Sequence, residues 1–313
     1  MDHEQPKLQS NAGYGALILE MEKLSLPAFT FATRTYCLLT KPGIILGNVI
    51  TTAGGFVLAS RSRIDFWLFL AVLSGLSLVI ASACVFNNYI DRDADKKMTR
   101  TKNRALVMGV ISAQRAILFA LFLGLFGTLF LALFANLLTV VLALLGFFIY
   151  VVLYSFSKYY SMHGTLIGSI AGAIPPIVGY CAVSNCFDVG ALILFTMIAL
   201  WQMPHFFAIA IYRLDDYIAA AIPVVPVKKG IRTAKIQMLL YIVAFIVVSS
   251  MLALFGYVGN GYLIATALFG TSWLLLCIKG FKCASDKFWA RKMFFFSLVV
   301  ILGLCIVLPF SVI

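Results

Sequence analysis

Val85-Phe86-Asn87-Asn88-Tyr89-Ile90-Asp91-Arg92-Asp93-Ala94-Asp95 is the stretch on which the reading turns. It starts inside a long apolar run, 66–87, and ends in acid: the chain has twelve Asp and Glu in all, and three fall here within five positions. A bilayer crossing takes roughly 20 mostly apolar residues, so a membrane helix meets water at this point. Asn87, Asp91 and Asp95 recur at i, i+4 and i+8, which sets all three on one face of a helix that continues past the boundary. Carboxylates stacked in this way repel one another at neutral pH unless a cation lies between them. Hard oxygen donors on a short arc suit Mg²⁺, which keeps several waters and binds through a few carboxylates plus substrate phosphates. Asp93 points off that face and reads as an ordinary solvated helix end.

Working outward, eight more runs resemble 66–87: 43–60, 116–135, 137–154, 166–183, 190–211, 237–256, 262–278 and 293–311. Hydrophobic residues make up 62% of the chain and charged ones 12%, about half the share of a soluble domain. The mean hydropathy is +1.01. Lipid admits only helices or closed barrels, and none of these runs alternates with a period of two. The fold class is therefore all-α, a polytopic membrane helical bundle of about nine transmembrane helices.

A formal charge of +12 would suggest nucleic acid on a soluble protein. Here its distribution explains it without one. Lys and Arg gather before the first run and after the second, fourth, sixth and eighth, while the opposite connections hold only Arg61 and Arg63. By the positive-inside rule the amino terminus is cytoplasmic and the carboxyl terminus outside, with membrane lipid as the surrounding partner. The opening MDHEQPK lacks the basic region of a signal peptide and is unlike an Arg-rich transit peptide, which argues for a bacterial inner membrane. Residues 1–35 read as a partly ordered cytoplasmic tail and 36–313 as one transmembrane domain. The seven cysteines show no C-x-x-C spacing; Cys181 and Cys186 are near enough in sequence to pair, but an unpaired structural role is the better expectation.

The two long inward connections, 88–115 and 212–236, carry the remaining polar groups, so the site lies near the cytoplasmic face. After the acids come Lys96, Lys97, Arg100, Lys102 and Arg104. Half of these only obey the positive-inside rule; Arg100 and Arg104, four apart, are the candidates for clamping a diphosphate. The second constellation is Trp201-Gln202-Met203-Pro204-His205-Phe206, then Tyr212-Arg213-Leu214-Asp215-Asp216. Pro204 should kink the helix near His205, the one histidine inside a predicted span, and Gln202 and His205 are candidate ligand-binding residues. Tyr212 and Asp216, again i and i+4, should face the same interior as the first acids. Lys228 and Lys229 follow an extended segment imposed by Pro223 and Pro226. Gly168 and Gly172 form a small-xxx-small face for close packing, ahead of a kink at Pro175-Pro176.

N-x-x-x-D-x-x-x-D after the second helix, with a Tyr/Asp motif after the sixth, resembles the intramembrane UbiA-type prenyltransferase superfamily. Within it, V-F-N-N-Y-I-D-R-D-A-D, M-T-R-T-K-N-R, A-G-A-I-P-P, W-Q-M-P-H-F, D-Y-I-A-A-A-I-P-V-V-P-V and W-A-R-K are similar to the branch that farnesylates protohaem IX. The likeness runs from about Lys41 to the end. It implies transfer of a farnesyl group from farnesyl diphosphate to a vinyl group of haem B, with water, giving haem O. It implies Mg²⁺ on Asp91, Asp95 and Asp216, with Tyr212 in the catalytic group and Asn87, Arg100, Arg104, Lys158, Lys228 and Lys229 toward diphosphate. Terminal-oxidase assembly or haem-modifying proteins are the implied partners. Asp215 stands where relatives commonly carry Lys, Tyr159 where a second basic residue is frequent after Lys158, and Ala105 where proline is common. These leave open which cations neutralise the diphosphate. Three alternatives stand beside this reading: prenylation of a quinone precursor, transport, and a non-catalytic haem-handling role.

Overall fold

A computed structural model describes residues 28–61 and 63–313, so the expected tail lies outside the described residues as far as residue 27. Helix α1, Ala28–Leu39, runs across the expected boundary at residue 35 and is too short to cross a bilayer. Nine helices among the described residues are long and apolar enough to span: α2 Pro42–Ser60, α3 Phe66–Asp95, α4 Ala113–Phe134, α5 Leu137–Tyr160, α6 Gly164–Ser184, α7 Val189–Tyr212, α9 Val225–Leu254, α10 Asn260–Lys282 and α11 Asp286–Phe310. A short helix, α8, Leu214–Ala219, lies between α7 and α9.

Neighbours in sequence pack as neighbours in space, α3 on α4, α7 on α9 and α9 on α10, while α2 crosses α6 and meets α11 to close the ring. Glycine makes the tightest crossing possible. A Cβ on Gly55 would overlap the Pro176 carbonyl, and one on Gly179 would overlap that of Thr52. Lipid covers the outside, where α4 alone exposes Leu118, Leu121, Phe122, Leu125, Phe126, Leu129 and Leu133.

Four features of the helices matter for the site. First, α3 continues past its apolar run, as the spacing of Asn87, Asp91 and Asp95 requires, and runs 30 residues to Asp95, about 45 Å against a hydrocarbon core of about 30 Å. Its last two turns therefore project beyond the apolar layer, and the connection shortens to 96–112. Second, α5 is interrupted by a π-helical turn, Ile149–Tyr154. Third, the non-helical stretch ends at Val224, which is extended, and Pro226 sits in the first turn of α9, where a missing N–H costs nothing. Fourth, α7 runs as one helix through Pro204, whose missing N–H deprives the Leu200 carbonyl of its usual donor. The expected break after Gly172 does occur, at Ala173, with Pro175 and Pro176 opening the second half of α6.

Candidate functional site

The projecting end of α3 carries Asn87, Asp91 and Asp95 on one face, and each is met by a group from another element. Asp91 Oδ1 accepts from Lys158 Nζ at 2.5 Å and from the Tyr159 hydroxyl at 2.7 Å. Two consecutive residues of α5 reach one oxygen because the π turn upstream re-aims the helix end, a device common at functional sites. The same turn frees the Tyr150 carbonyl for the Ser155 hydroxyl, and Ser155 Oγ in turn accepts from Asn87 Nδ2 at 3.1 Å. Asn87 Oδ1 accepts from Lys41 Nζ at 2.5 Å. Arg104 donates to Asp95 Oδ2 at 2.6 Å and to Asn88 Oδ1 at 3.0 Å, while Asn88 Nδ2 is spent on the Leu39 carbonyl.

Asp216 comes from the other long connection. The Thr99 backbone N–H donates to its Oδ1 at 2.9 Å, which ties α8 to the loop after α3. The two connections interlock around Met98, Ala220 and Ile222, with Tyr159, Tyr217 and Val224 packed on them. Burial pushes the Tyr217 hydroxyl above the usual tyrosine range, and Arg100 is close enough to oppose that shift.

Tyr212 is placed differently from the sequence expectation. α7 ends at Tyr212, Arg213 caps it in a non-helical conformation, and a new helix starts at Leu214, so i, i+4 spacing does not align Tyr212 with Asp216. The Tyr212 ring instead lies under two guanidiniums, Arg213 at 4.5 Å and Arg291 at 5.9 Å from its centroid. Arg100, Lys228 and Lys229 are exposed and make no ion pair among the described residues. Arg100 sits on a turn and Arg104 in irregular chain, neither in a helix, so their spacing does not place them together.

Deeper along α7, His205 stacks on Trp201, centroids 5.0 Å apart, and its Nδ1 lies 2.7 Å from Ser297 Oγ. Ser297 Oγ gives its own proton to the Phe294 carbonyl at 2.6 Å, so it is the acceptor toward the imidazole. The proton therefore sits on Nδ1, and Nε2 keeps its lone pair with no partner among the described residues. Trp201 Nε1 donates to the Ser297 carbonyl at 2.9 Å, so one residue of α11 fixes both rings. Gln202, 5% exposed, packs its amide against Gly172 and has no hydrogen-bond partner among the described residues. Gly168, the other half of that small-residue pair, receives the Tyr154 ring.

No three His, Cys, Asp or Glu side chains among the described residues are gathered as a ready-made metal cage. The donor set nonetheless fits a hard cation. Asp91 Oδ2, Asp95 Oδ1 and Asp216 Oδ2 are each unclaimed by any described residue, and Mg²⁺ asks for few protein oxygens when a phosphate supplies the rest. The cysteines expected to be unpaired are free, Cys181 Sγ donating to the Cys186 carbonyl at 3.1 Å. A cleft of about 360 Å³ between Asp65, Trp67, Phe134 and Asn136 opens at the far end of α3 and has no part in this site.

Topology alone accounts for Lys41, Arg213 and Arg291 in the sequence, Tyr159 stands out there only as a departure from relatives, and nothing marks Asn88, Ser155 or Ser297. Their partners lie far along the chain, 46 residues for Lys41 and 68 for Tyr159, and no local spacing signals them.

The profile of the UbiA prenyltransferase family matches residues 48–299. The chain is 54% identical over 278 residues to a protohaem IX farnesyltransferase of Protochlamydia amoebophila, covering 89% of this chain and 98% of the relative. It is equally identical, 54% over 276 residues, to one of Edwardsiella ictaluri, covering 88% and 93%. Among solved structures, a digeranylgeranylglyceryl phosphate synthase superposes with a TM-score of 0.73 at 20% identity, covering 89% of this chain and 98% of that one. A UbiA homologue from Archaeoglobus fulgidus bound to GPP and Mg²⁺ does so with a TM-score of 0.61 at 15% identity, covering 88% and 99%. At such identities these two likenesses bear on the fold alone.

Proposed function

The chain belongs to the UbiA prenyltransferase family, and from that premise we propose that it transfers the farnesyl group of farnesyl diphosphate to a vinyl group of haem B. Water adds in the same reaction, and haem O and diphosphate leave. The observation that carries this reading is 54% identity, across 89% of the chain, to a relative named for that chemistry.

The site offers what the reaction needs. An allylic diphosphate departs when its charge is neutralised, and electrostatic stabilisation of that kind is usually the largest catalytic contribution. Mg²⁺ on the unclaimed oxygens of Asp91, Asp95 and Asp216 would supply Lewis-acid neutralisation of the leaving group. Lys158 and Arg104, already held against Asp91 and Asp95, share their protons with the diphosphate oxygens, and Asn87 keeps Lys41 aimed at the same place. Arg100, Lys228 and Lys229 form an outer ring that draws the anion to the mouth. The farnesyl chain lies in the apolar bundle, where water is excluded and the allylic cation meets the vinyl group first. Gln202 and His205 hold the haem, for a neutral imidazole with a free Nε2 is the ligand type that haem iron takes. Tyr212 closes the acceptor side. Residues 36–313 are the transferase domain of a multi-pass protein of the bacterial inner membrane, its site at the cytoplasmic face on the positive-inside argument.

The test is direct. Purified protein in detergent receives haem B, farnesyl diphosphate and Mg²⁺, with an EDTA control, and the extracted pigment is weighed by mass spectrometry. The expected product is a Mg²⁺-dependent haem heavier by a farnesyl unit plus water. Unchanged haem, with the label on a quinone precursor offered in parallel, would overturn the proposal.

A further inference from the structure

We propose that the seam between α7 and α11 sets the orientation of the porphyrin, its two propionates on Arg213 and Arg291 and its iron on the His205 side; this rests on the haem reading above.

Two observations converge on it. The first is electrostatic. Arg213 and Arg291 come from different elements, yet both lie against the Tyr212 ring, at 4.5 and 5.9 Å from its centroid, Arg291 bridging to the Phe295 ring at 5.8 Å. Neither has a carboxylate partner among the described residues. The acids nearest in sequence to Arg213 are already engaged, Asp215 with Lys287 at 3.6 Å and Asp216 with the Thr99 N–H. Two guanidiniums at one ring with no acid beside them leave positive charge there uncompensated, and a pair of carboxylates is the ligand that neutralises it, since each fork matches a carboxylate edge. The positive-inside rule explains why arginines occur at this face; it does not explain why two converge on one aromatic ring.

The second observation is spacing. His205 and Tyr212 are seven residues apart on α7, two turns along one face, about 10 Å along the axis. An imidazole lone pair lies inside the apolar layer and a pair of cations lies at its edge, on the same stripe of helix. Haem B has that layout: a flat apolar ring, a metal at its centre, and both carboxylates on one side. With the iron near His205 the propionates reach the helix end, where their charge stays in contact with water. Reversing the ring would bury two carboxylates against Trp201 and leave the arginines empty. Burying unpaired carboxylates is strongly disfavoured.

Anionic phospholipid head groups share the chemistry of the propionates, so the experiment separates the two. The full chain is placed in phosphatidylcholine nanodiscs and titrated, by Soret absorbance, with haem B and with its dimethyl ester. Charge-assisted bonds of this kind correspond to a preference for the free acid on the order of 10- to 100-fold. Arg213→Gln with Arg291→Gln should abolish most of that preference without moving the Soret maximum that reports the iron ligand. Arg213→Lys with Arg291→Lys, which keeps both charges, should retain part of it and controls for folding. Equal binding of acid and ester by protein that still makes haem O would overturn the orientation and leave the reaction standing. A preference that survives the Gln pair would also overturn it, as would one that vanishes when phosphatidylglycerol is added, since lipid phosphate would then be the true occupant. If neither pigment binds and farnesyl goes to a quinone precursor, the haem reading falls and the orientation with it.

Discussion

Raising the pH should strip Lys41 of its proton well before an ordinary lysine, and activity should fall with it. Lys41 precedes Pro42 in a left-handed conformation, φ 54°, and points its Nζ at Asn87 Oδ1. Burial pulls its pKa from 10.5 down to about 8, Arg104 and Lys158 adding to the fall and Cys84 and Asp91 opposing it. A shift of that size corresponds to about 3 kcal/mol between the two protonation states. The ammonium is about nine tenths populated at pH 7 and about one tenth at pH 9. Stability moves the other way. Below about 8 both folded and unfolded chains carry the charge and the fold bears its desolvation; between about 8 and 10.5 only the unfolded chain keeps the proton, so stability rises with pH. A loss of activity above pH 8 is then not unfolding caused by this group. The assay is kcat/KM for farnesyl diphosphate against pH, which reports the free enzyme, with tryptophan-detected melting in parallel. The wild type should show a basic limb near 8. Lys41→Arg, charged throughout, should flatten it, and Lys41→Met should be slow and flat. A wild-type profile level to about pH 9.5, or an Arg variant with the same limb, would refute the reasoning.

Asp91→Asn should lower kcat on the order of 100- to 1000-fold while haem affinity stays put, because it removes charge from the leaving-group side only; a loss under tenfold would remove Asp91 from the metal set. The buried Lys235, which donates to Asp286 at 2.5 Å and to the Gly280 carbonyl at 2.6 Å under the Trp289 ring, should make Asp286→Ala destabilising. We expect about 2 kcal/mol, below the value for a fully buried pair because the Asp286 side chain is 38% exposed, and a smaller loss for Lys235→Met with Asp286→Leu; denaturant unfolding in detergent decides it. Gly55→Ala, which forces a Cβ into the Pro176 carbonyl, should cost about 1–3 kcal/mol in the same assay. Gly43→Ala, with nothing within 4 Å of the new atom, should cost a small fraction of that, and equal losses would mean the α2–α6 crossing is looser than it looks.

The spans were legible because lipid leaves the chain so few choices: a run of about 20 apolar residues has to be a helix, whatever packs on it. The projecting end of α3 was legible for a related reason, since Asn87, Asp91 and Asp95 keep helical spacing beyond the point where hydropathy ends. Tyr212 and Asp216 keep the same spacing and yet fall on two helices. What separates the cases is the sequence that follows. Past Asp91 the helix is carried to Asp95, with Lys96 pairing to Asp93 at 2.8 Å, whereas Asp216 stands in a six-residue helix that ends before Pro223. Helical spacing is therefore a statement about a face only when the helix is long enough to own both residues.

The polar contacts were the least legible part, and the obstacle was specific. At the basic end of a membrane bundle every Lys and Arg already has an explanation in topology, so charge alone separates nothing. Arg104 and Lys158 were candidates in the sequence, but Lys41 becomes a site residue only because the Asn87 amide turns up against it, and separations of 46 for Lys41 and 67 for Lys158 put their partners beyond any local pattern. Arg213 and Arg291 differ from these in having no acid among the described residues, and from the equally unpaired Arg100, Lys228 and Lys229 in sharing one aromatic ring, that of Tyr212. A cation whose acid is present reads as structure or as a leaving-group clamp; a pair of cations converging on one ring with no acid between them reads as a place kept for an anion from outside. That contrast has no signal in the sequence, where the two arginines at Tyr212 look like any other basic residues of this face.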